Sequence, residues 1–119
     1  MGLKSWTRGN KSEEIAASYL KENGYTICQR NYRAVGGEID IIAKKDGVIY
    51  FVEVKAREEG KARAAESISY DKKRRLKRAA EYWLGHYGNQ NTEAGWLIVL
   101  IALNKSGEAI DIDILSDAL

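Results

Sequence analysis

Apolar and polar residues follow two periodicities along this chain, and together they predict two helices and five strands. Apolar residues three and four positions apart mark helices over about 10–22 and 67–86. Alternating or continuous apolar runs rich in β-branched residues mark strands over 25–33, 37–42, 48–55, 96–103 and 109–115. The predicted order is therefore α-β-β-β-α-β-β. It favours an α/β fold in which helices flank a central mixed β-sheet.

A tight turn joins the second and third predicted strands. Asp46 and Gly47 separate the two apolar runs, and Asp-Gly is typical of a two-residue type I′ turn, in which both central residues have positive φ. The register set by that turn places Asp40 opposite Glu53 and Glu38 opposite Lys55. All four side chains then share one face, with cross-strand Cβ atoms about 4.5–5.5 Å apart.

Two carboxylates in that arrangement favour a bound cation, because directly opposed like charges destabilise a sheet. Hard oxygen ligands indicate Mg²⁺ or Mn²⁺. The backbone carbonyl of Val54 is a candidate further ligand. Glu13 lies on the same face of the first helix as the apolar residues and can reach inward to complete the ligand set. Lys55, two residues after Glu53, can stabilise charge on a phosphoryl group.

Each of these residues also has a structural interpretation. Asp40 and Glu53 can be solvent-facing strand residues neutralised by Lys44 or Lys55. Glu13 can be the second member of a capping box whose N-cap is Asn10, at the start of the first helix. Cys28, the single cysteine, excludes an internal disulfide and a multi-cysteine zinc site, and is expected to be a small core or strand residue.

Composition limits the class of protein. The chain has 119 residues, 45% of them hydrophobic, which suits a single domain over 1–119 with its core at about 10–115. No apolar run approaches the roughly 18 residues of a membrane span, and the first residues do not resemble a signal peptide. We therefore expect a cytoplasmic protein with no membrane partner.

Basic residues are concentrated in one stretch. Between 55 and 78 there are ten Lys or Arg and four Asp or Glu, a balance of +6, whereas the other residues carry nine basic and thirteen acidic side chains. A basic segment that follows a carboxylate cluster suggests that a polyanion is held beside a metal. A solvated helix face would have the same composition.

The combined pattern resembles a known group of nucleases. An aspartate, twelve intervening residues and Glu-x-Lys, with a glutamate in the preceding helix, resemble the PD-(D/E)XK nuclease superfamily, including the archaeal Holliday-junction resolvases. Within it, the match is closer to the bacterial YraN family of small resolvase-like proteins. The matching blocks are 13–20, 24–25, 30–33, 36–43, 51–57 and 72–76.

The resemblance implies a restriction-endonuclease-like fold, a metal site at Asp40 and Glu53, Lys55 as catalytic lysine and Glu13 as an accessory acid. It also implies branched DNA as substrate and a homodimer. Four basic residues in or near the matched blocks are candidates for phosphate contacts: Arg33, Arg57, Lys72 and Arg75. The chain differs from the family pattern in one segment. Gly95-Trp96-Leu97 stands where the family usually has Arg-Phe-Asp at the start of its fourth strand.

These observations lead to two main hypotheses. The first is a metal-dependent endonuclease of the Holliday-junction-resolvase type that acts on branched or distorted DNA. The second is a DNA-binding module that keeps the nuclease fold without cleaving, and acts in repair, recombination or DNA uptake. A structural protein without nucleic-acid affinity is a third class, and it predicts no salt-dependent DNA binding.

Overall fold

The computed structural model describes residues 2–58 and 69–116, with side chains described from residue 11 onward. Its elements follow the predicted order. They are α1 (Gly2–Glu22), β1 (Thr26–Ala34), β2 (Gly37–Lys45), β3 (Val48–Glu58), α2 (Tyr70–Tyr87), β4 (Glu93–Leu103) and β5 (Ala109–Ser116). The five strands form one sheet in sequence order, antiparallel except for the parallel pair β3 and β4. This confirms the predicted α/β fold with a mixed sheet, an architecture consistent with the restriction-endonuclease-like class.

The two helices cover opposite faces of the sheet. Ala16, Ala17 and Leu20 of α1 pack in a cluster that includes Ile41 and Val99. A second cluster joins α2 to the other face through four helix residues and their sheet partners. Its buried members are Ile39, Ile42, Ile49, Phe51, Leu76, Ala79, Ala80, Trp83 and Ile98. Each helix therefore buries one apolar stripe, as its periodicity predicts.

The hairpin between β2 and β3 has the predicted turn and register. Asp46 and Gly47 have φ of 51° and 82°, as a type I′ turn requires. Backbone pairing then runs from Lys45 opposite Val48 to Ile41 opposite Val52. The local sequence alone is therefore sufficient to align these two strands.

The beginning of α1 differs from the prediction. The helix starts at Gly2, so Asn10 lies within it and is not an N-cap, and Glu13 does not belong to its first turn. A capping-box pattern can also occur inside a helix when the preceding residues are helical. Residues 2–10 contain no proline that would end the helix. The capping interpretation of Glu13 is therefore wrong.

The structure also refines two smaller predictions. Cys28 was expected to be a core or a strand residue, and it is an exposed residue of the strand β1. The strand predicted over 48–55 is longer in the structure, because β3 continues to Glu58. Ser69 is the N-cap of α2 and accepts a hydrogen bond from the Lys72 amide.

Neither described helix has the length and apolar character needed to cross a membrane.

Candidate active site

The site is created where β2 separates from β3. Beyond the Ile41–Val52 pair, the amide of Val54 donates a hydrogen bond of 2.8 Å to Oδ2 of Asp40 instead of to the backbone of β2. The predicted backbone pairs of Asp40 with Glu53 and of Glu38 with Lys55 are therefore not formed within the described hairpin. The Asp40 side chain takes the place of a backbone acceptor, which satisfies the Val54 amide and holds the carboxylate at the point of separation.

A local change in strand geometry explains this separation. Ile39 and Ile42 both pack on the α2 side, whereas Ile41 packs on the α1 side, so the alternation of side chains is interrupted at Asp40. On β1, the residue opposite this point is Asn31, which has φ of 54°. A non-glycine residue with positive φ is uncommon, and asparagine is one of the few that tolerate it. The regular alternation from which Glu38, Asp40, Glu53 and Lys55 were predicted to share one face is therefore interrupted at Asp40.

Asp40 and Glu53 nevertheless lie close together. Glu53 is the one buried charged residue among the described side chains, with 6% of its surface exposed. Burial, with a smaller contribution from the charge of Glu53, raises the pKa of Asp40 to about 8, against a weaker opposing effect of the Val54 hydrogen bond. A half-buried carboxyl group beside a buried carboxylate creates a demand for positive charge at this site.

Glu13 approaches the same region from α1. Its Oε1 atom is buried without a hydrogen-bond partner, and Nη2 of Arg30 lies 4.0 Å from it. Burial raises the pKa of Glu13, and the charges of Glu38 and Glu53 act in the same direction, whereas a hydrogen bond with Asn31 and the charge of Arg30 oppose them. An unsatisfied buried carboxylate oxygen is unusual. It is a candidate ligand or acceptor atom.

Lys72 reaches the acid pair from α2. Its ammonium forms an ion pair with Oε2 of Glu53. The Lys72 amide also donates to the Ser69 hydroxyl at 3.2 Å, which places this lysine in the first turn of α2. Sequence reasoning had assigned Lys72 to phosphate contact, and the ion pair with a candidate metal ligand was not expected.

A basic cleft adjoins the acid pair. It has a volume of about 620 Å³ and lies between the β1–β2 turn and the first half of α2. Its lining residues are Arg33, Ala34, Gly36, Gly37, Glu38, Lys72, Arg75 and Leu76. A Cβ atom at Gly37 would collide with the carbonyl oxygen of Arg75, so glycine at this position allows the close approach of helix and turn. The structure thus brings Arg33, Lys72 and Arg75 to one cleft.

The remaining predicted residues lie along β3. Lys55 and Arg57 follow Glu53 at two-residue steps, which places all three on the same face of the strand. The Arg57 guanidinium donates to the Ala56 carbonyl at 2.9 Å, and Arg57 is not among the described residues that line the cleft. The roles of Lys55 as catalytic lysine and of the Val54 carbonyl as metal ligand stay predictions.

The donor set fits a hard divalent cation. Across 11–58 and 69–116, no three His, Cys, Asp or Glu side chains converge closely enough to form a ready-made metal cluster. Asp40 and Glu53 are a pair, and the unpartnered Oε1 atom of Glu13 does not form a group of three with them. Mg²⁺ is usually bound by one or two carboxylates, with water and substrate phosphate as further ligands. Two carboxylates are therefore sufficient for the predicted ion.

Sequence reasoning missed the contribution of Arg30 and Asn31 to this site. Arg30 bridges α1 to β1 through Oε1 of Glu14 at 2.7 Å and lies near Glu13. Asn31 combines the strained backbone with the hydrogen bond to Glu13. Both residues fall in the matched block 30–33, so their position in that block was the available signal.

The departure from the family pattern falls in the core. Leu97, which stands where the family usually has an aspartate, is 3% exposed in the cluster on the α1 side and pairs with Val52. Trp96 packs on Phe51, with ring centroids 5.3 Å apart. The apolar residues of this segment therefore pack in the hydrophobic core.

Residues 12–116 match the model of a family described as "Uncharacterised protein family UPF0102". A "UPF0102 protein" of Caldicellulosiruptor saccharolyticus is 40% identical over 92% of this chain and 94% of the relative. One from Campylobacter hominis is 39% identical over 88% of this chain and 90% of the relative. Another, from Desulfosudis oleivorans, is 44% identical over 78% of this chain and 76% of the relative. The match thus includes both helices' buried residues, the acid pair and the basic cleft.

Proposed function

The chain belongs to the uncharacterised protein family UPF0102, and we propose that it is a metal-dependent DNA endonuclease that hydrolyses phosphodiesters in branched or distorted DNA. The observation that carries this proposal is the acid pair, in which the charge of buried Glu53 adds to the effect of burial on the pKa of Asp40. A carboxyl group with a perturbed pKa, such as that of Asp40, beside a cleft is typical of a functional site. We place the activity in the cytoplasm, where chromosomal DNA of bacteria is found.

The acid pair and its neighbours have separable roles in this proposal. Asp40 and Glu53 hold Mg²⁺ or Mn²⁺, with the Val54 carbonyl as a further ligand. A cation held there would supply Lewis-acid chemistry to the phosphoryl group and activate the attacking water. Lys55 places its ammonium where negative charge develops on the phosphate. Glu13 accepts a hydrogen bond from a water or completes the ligand set through its unpartnered oxygen.

The basic residues provide the DNA contacts. Arg33, Lys72 and Arg75 line one cleft beside the acids, and Arg57 extends the basic surface along β3. Such contacts to phosphate give affinity and position without reading base sequence. We therefore expect recognition of DNA shape. A homodimer would present two sites to a branched substrate.

One observation favours the alternative, a DNA-binding module without cleavage. The Lys72 ammonium already neutralises Glu53, so the charge demand of that carboxylate is met without a metal. A chain that retained this ion pair permanently would keep the basic cleft and lose the cation. Both functions predict DNA binding, and cleavage distinguishes them.

The test is a panel of labelled single-stranded, duplex, flap and four-way-junction DNA, incubated with the protein in Mg²⁺, in Mn²⁺ and in EDTA. We expect metal-dependent cutting of a branched substrate, and its loss in Glu53→Gln. The matched control is Glu93→Gln, which neutralises an exposed glutamate on β4. It should cut like the wild type.

Binding to the same panel, measured across a salt series, separates the remaining outcomes. We expect the logarithm of affinity to fall by about 0.9 per phosphate contact for each unit of log salt on duplex DNA. Salt-dependent binding without cutting by any of the three proteins would favour the binding module. An absence of salt-dependent binding would contradict both functions.

A further inference from the structure

Lys72 connects the acid pair to the basic cleft. Its ammonium contacts Oε2 of Glu53, and the same residue lines the cleft with Arg33 and Arg75. The two partners differ in exposure, because 45% of the Lys72 side chain is exposed against 7% for Glu53. The carboxylate is therefore fixed in the protein, whereas the ammonium lies at a boundary with solvent.

The ion pair neutralises the negative charge of Glu53, and a divalent cation bound to the same carboxylate would also neutralise it. A buried carboxylate is costly without a partner, and Asp40 adds a second acid beside Glu53. A divalent cation held by the same carboxylates would be adjacent to the Lys72 ammonium. The two positive charges, the ammonium and the cation, would repel each other strongly at such close range in a partly desolvated site. Lys72 and a divalent cation therefore compete for Glu53.

The cleft offers Lys72 a second position. Lysine has a flexible four-carbon stem and a compact charge that makes no demand for planar geometry, so its ammonium can leave Glu53 while its backbone stays in α2. Arg33 and Arg75 already lie on the cleft walls. Glu38 is the acidic residue in the lining and lies 3.8 Å from the Arg33 guanidinium. The cleft thus carries a net positive charge suited to a phosphate.

We propose that Lys72 is an exchangeable counterion, which neutralises Glu53 before a divalent cation binds and then moves to a DNA phosphate in the basic cleft. The inference rests on the proposed function, because it assumes that Asp40 and Glu53 bind a cation and that the cleft binds DNA. Lys72 is a positioning residue in this scheme. Since the exchange links two ligands, each should strengthen the binding of the other by the same factor.

The first test is calorimetric titration of Mn²⁺ into wild type, Lys72→Met and Lys77→Met, without DNA. Methionine keeps an unbranched stem and removes the charge. Lys77 is an exposed lysine of α2 that does not line the cleft, so its variant controls for net charge. We expect Lys72→Met to bind Mn²⁺ about tenfold more tightly than the other two proteins. Equal or weaker binding would mean that the ion pair supports the metal site, and would overturn the exchange.

The second test uses the wild type alone, so it does not depend on the folding of a variant. Lys72 is labelled with an amine-reactive reagent and quantified by mass spectrometry, first without additions, then with Ca²⁺, then with Ca²⁺ and four-way-junction DNA. We expect labelling to rise when Ca²⁺ is added and to fall when DNA follows. Labelling that does not respond to Ca²⁺ overturns the exchange.

The outcomes separate this inference from the nuclease. If Lys72 responds as expected and no DNA is cut, the exchange holds and catalysis is absent. If DNA is cut in a metal-dependent reaction while Lys72→Met and wild type bind Mn²⁺ equally, the nuclease holds and the exchange fails. If none of the three proteins binds Mn²⁺, the exchange fails regardless of the cleavage result.

Discussion

Asp40→Asn is expected to reduce the rate of DNA cleavage by at least about 10³-fold and, at the same time, to make the folded protein more stable at alkaline pH. Asparagine has nearly the same shape as aspartate, and its Oδ1 can still accept the hydrogen bond from the Val54 amide. The substitution therefore removes a charge without opening a cavity. Loss of activity together with a gain in stability is typical of a residue kept for function.

The sign of the stability change follows from the pKa of Asp40. Burial and the charge of Glu53 raise that pKa from 3.8 to about 8. Between these two pH values the folded protein keeps a proton on Asp40 that the unfolded chain has released. The free energy of unfolding therefore falls as pH rises from about 4 to about 8, and the stabilising effect of the proton is lost above that range. Each pKa unit corresponds to about 1.4 kcal/mol. The free energy of unfolding of Asp40→Asn does not decrease in this way, because asparagine does not ionise.

Thermal unfolding of wild type and Asp40→Asn at pH 5 and pH 9 measures the effect, with EDTA present to remove divalent cations. We expect the variant to melt at least about 5 °C above the wild type at pH 9, with a smaller gap at pH 5. Asp111→Asn is the matched control, because Asp111 is an exposed residue of β5. A gap that is equal at both pH values would show that Asp40 ionises normally in the folded protein.

Lys55→Met is expected to reduce cleavage by about 10²- to 10³-fold while leaving metal binding and DNA affinity close to those of the wild type. Lys55 follows Glu53 by two residues on the same face of β3. Its ammonium can therefore stabilise charge that is larger in the transition state than in bound DNA. An interaction made mainly in the transition state changes the rate more than the binding.

Single-turnover cleavage, with protein in excess over a labelled four-way junction, measures the rate without product release. Lys44→Met, which removes an exposed lysine of β2, should cleave at the wild-type rate. If Lys55→Met cleaves normally, another group supplies the positive charge. If its DNA affinity falls in proportion to its rate, Lys55 contributes to binding and not specifically to the chemical step.

The parts of the fold that sequence predicted are those determined by local patterns. The Asp46-Gly47 turn specifies its own φ angles and so the register of β2 and β3 near the turn. Periodicity also identified α2 as an amphipathic helix, and its buried face includes Leu76 and Trp83. The start of α1 was not predictable in this way, because the pattern at Asn10 is compatible with both the start and the interior of a helix.

The candidate site required contacts between distant segments. The register correctly brought Asp40 near Glu53, but the separation of the strands depends on the Asp40–Val54 hydrogen bond and on the backbone of Asn31. Neither has a local signature. The Lys72–Glu53 ion pair joins α2 to β3, two elements that the sequence pattern does not place together, and composition showed only that the helix was basic.

The most direct test of the site is calorimetric titration of Mn²⁺ into wild type and Asp40→Asn, both at pH 8 and both shown to be folded. We predict saturable binding of one ion per chain in the wild type and its loss in the variant, because the variant removes one of the two carboxylates that hold the cation. Equal binding by the two proteins would contradict the assignment of Asp40 as a ligand. An absence of binding in the wild type, with or without four-way-junction DNA, would contradict the metal site itself.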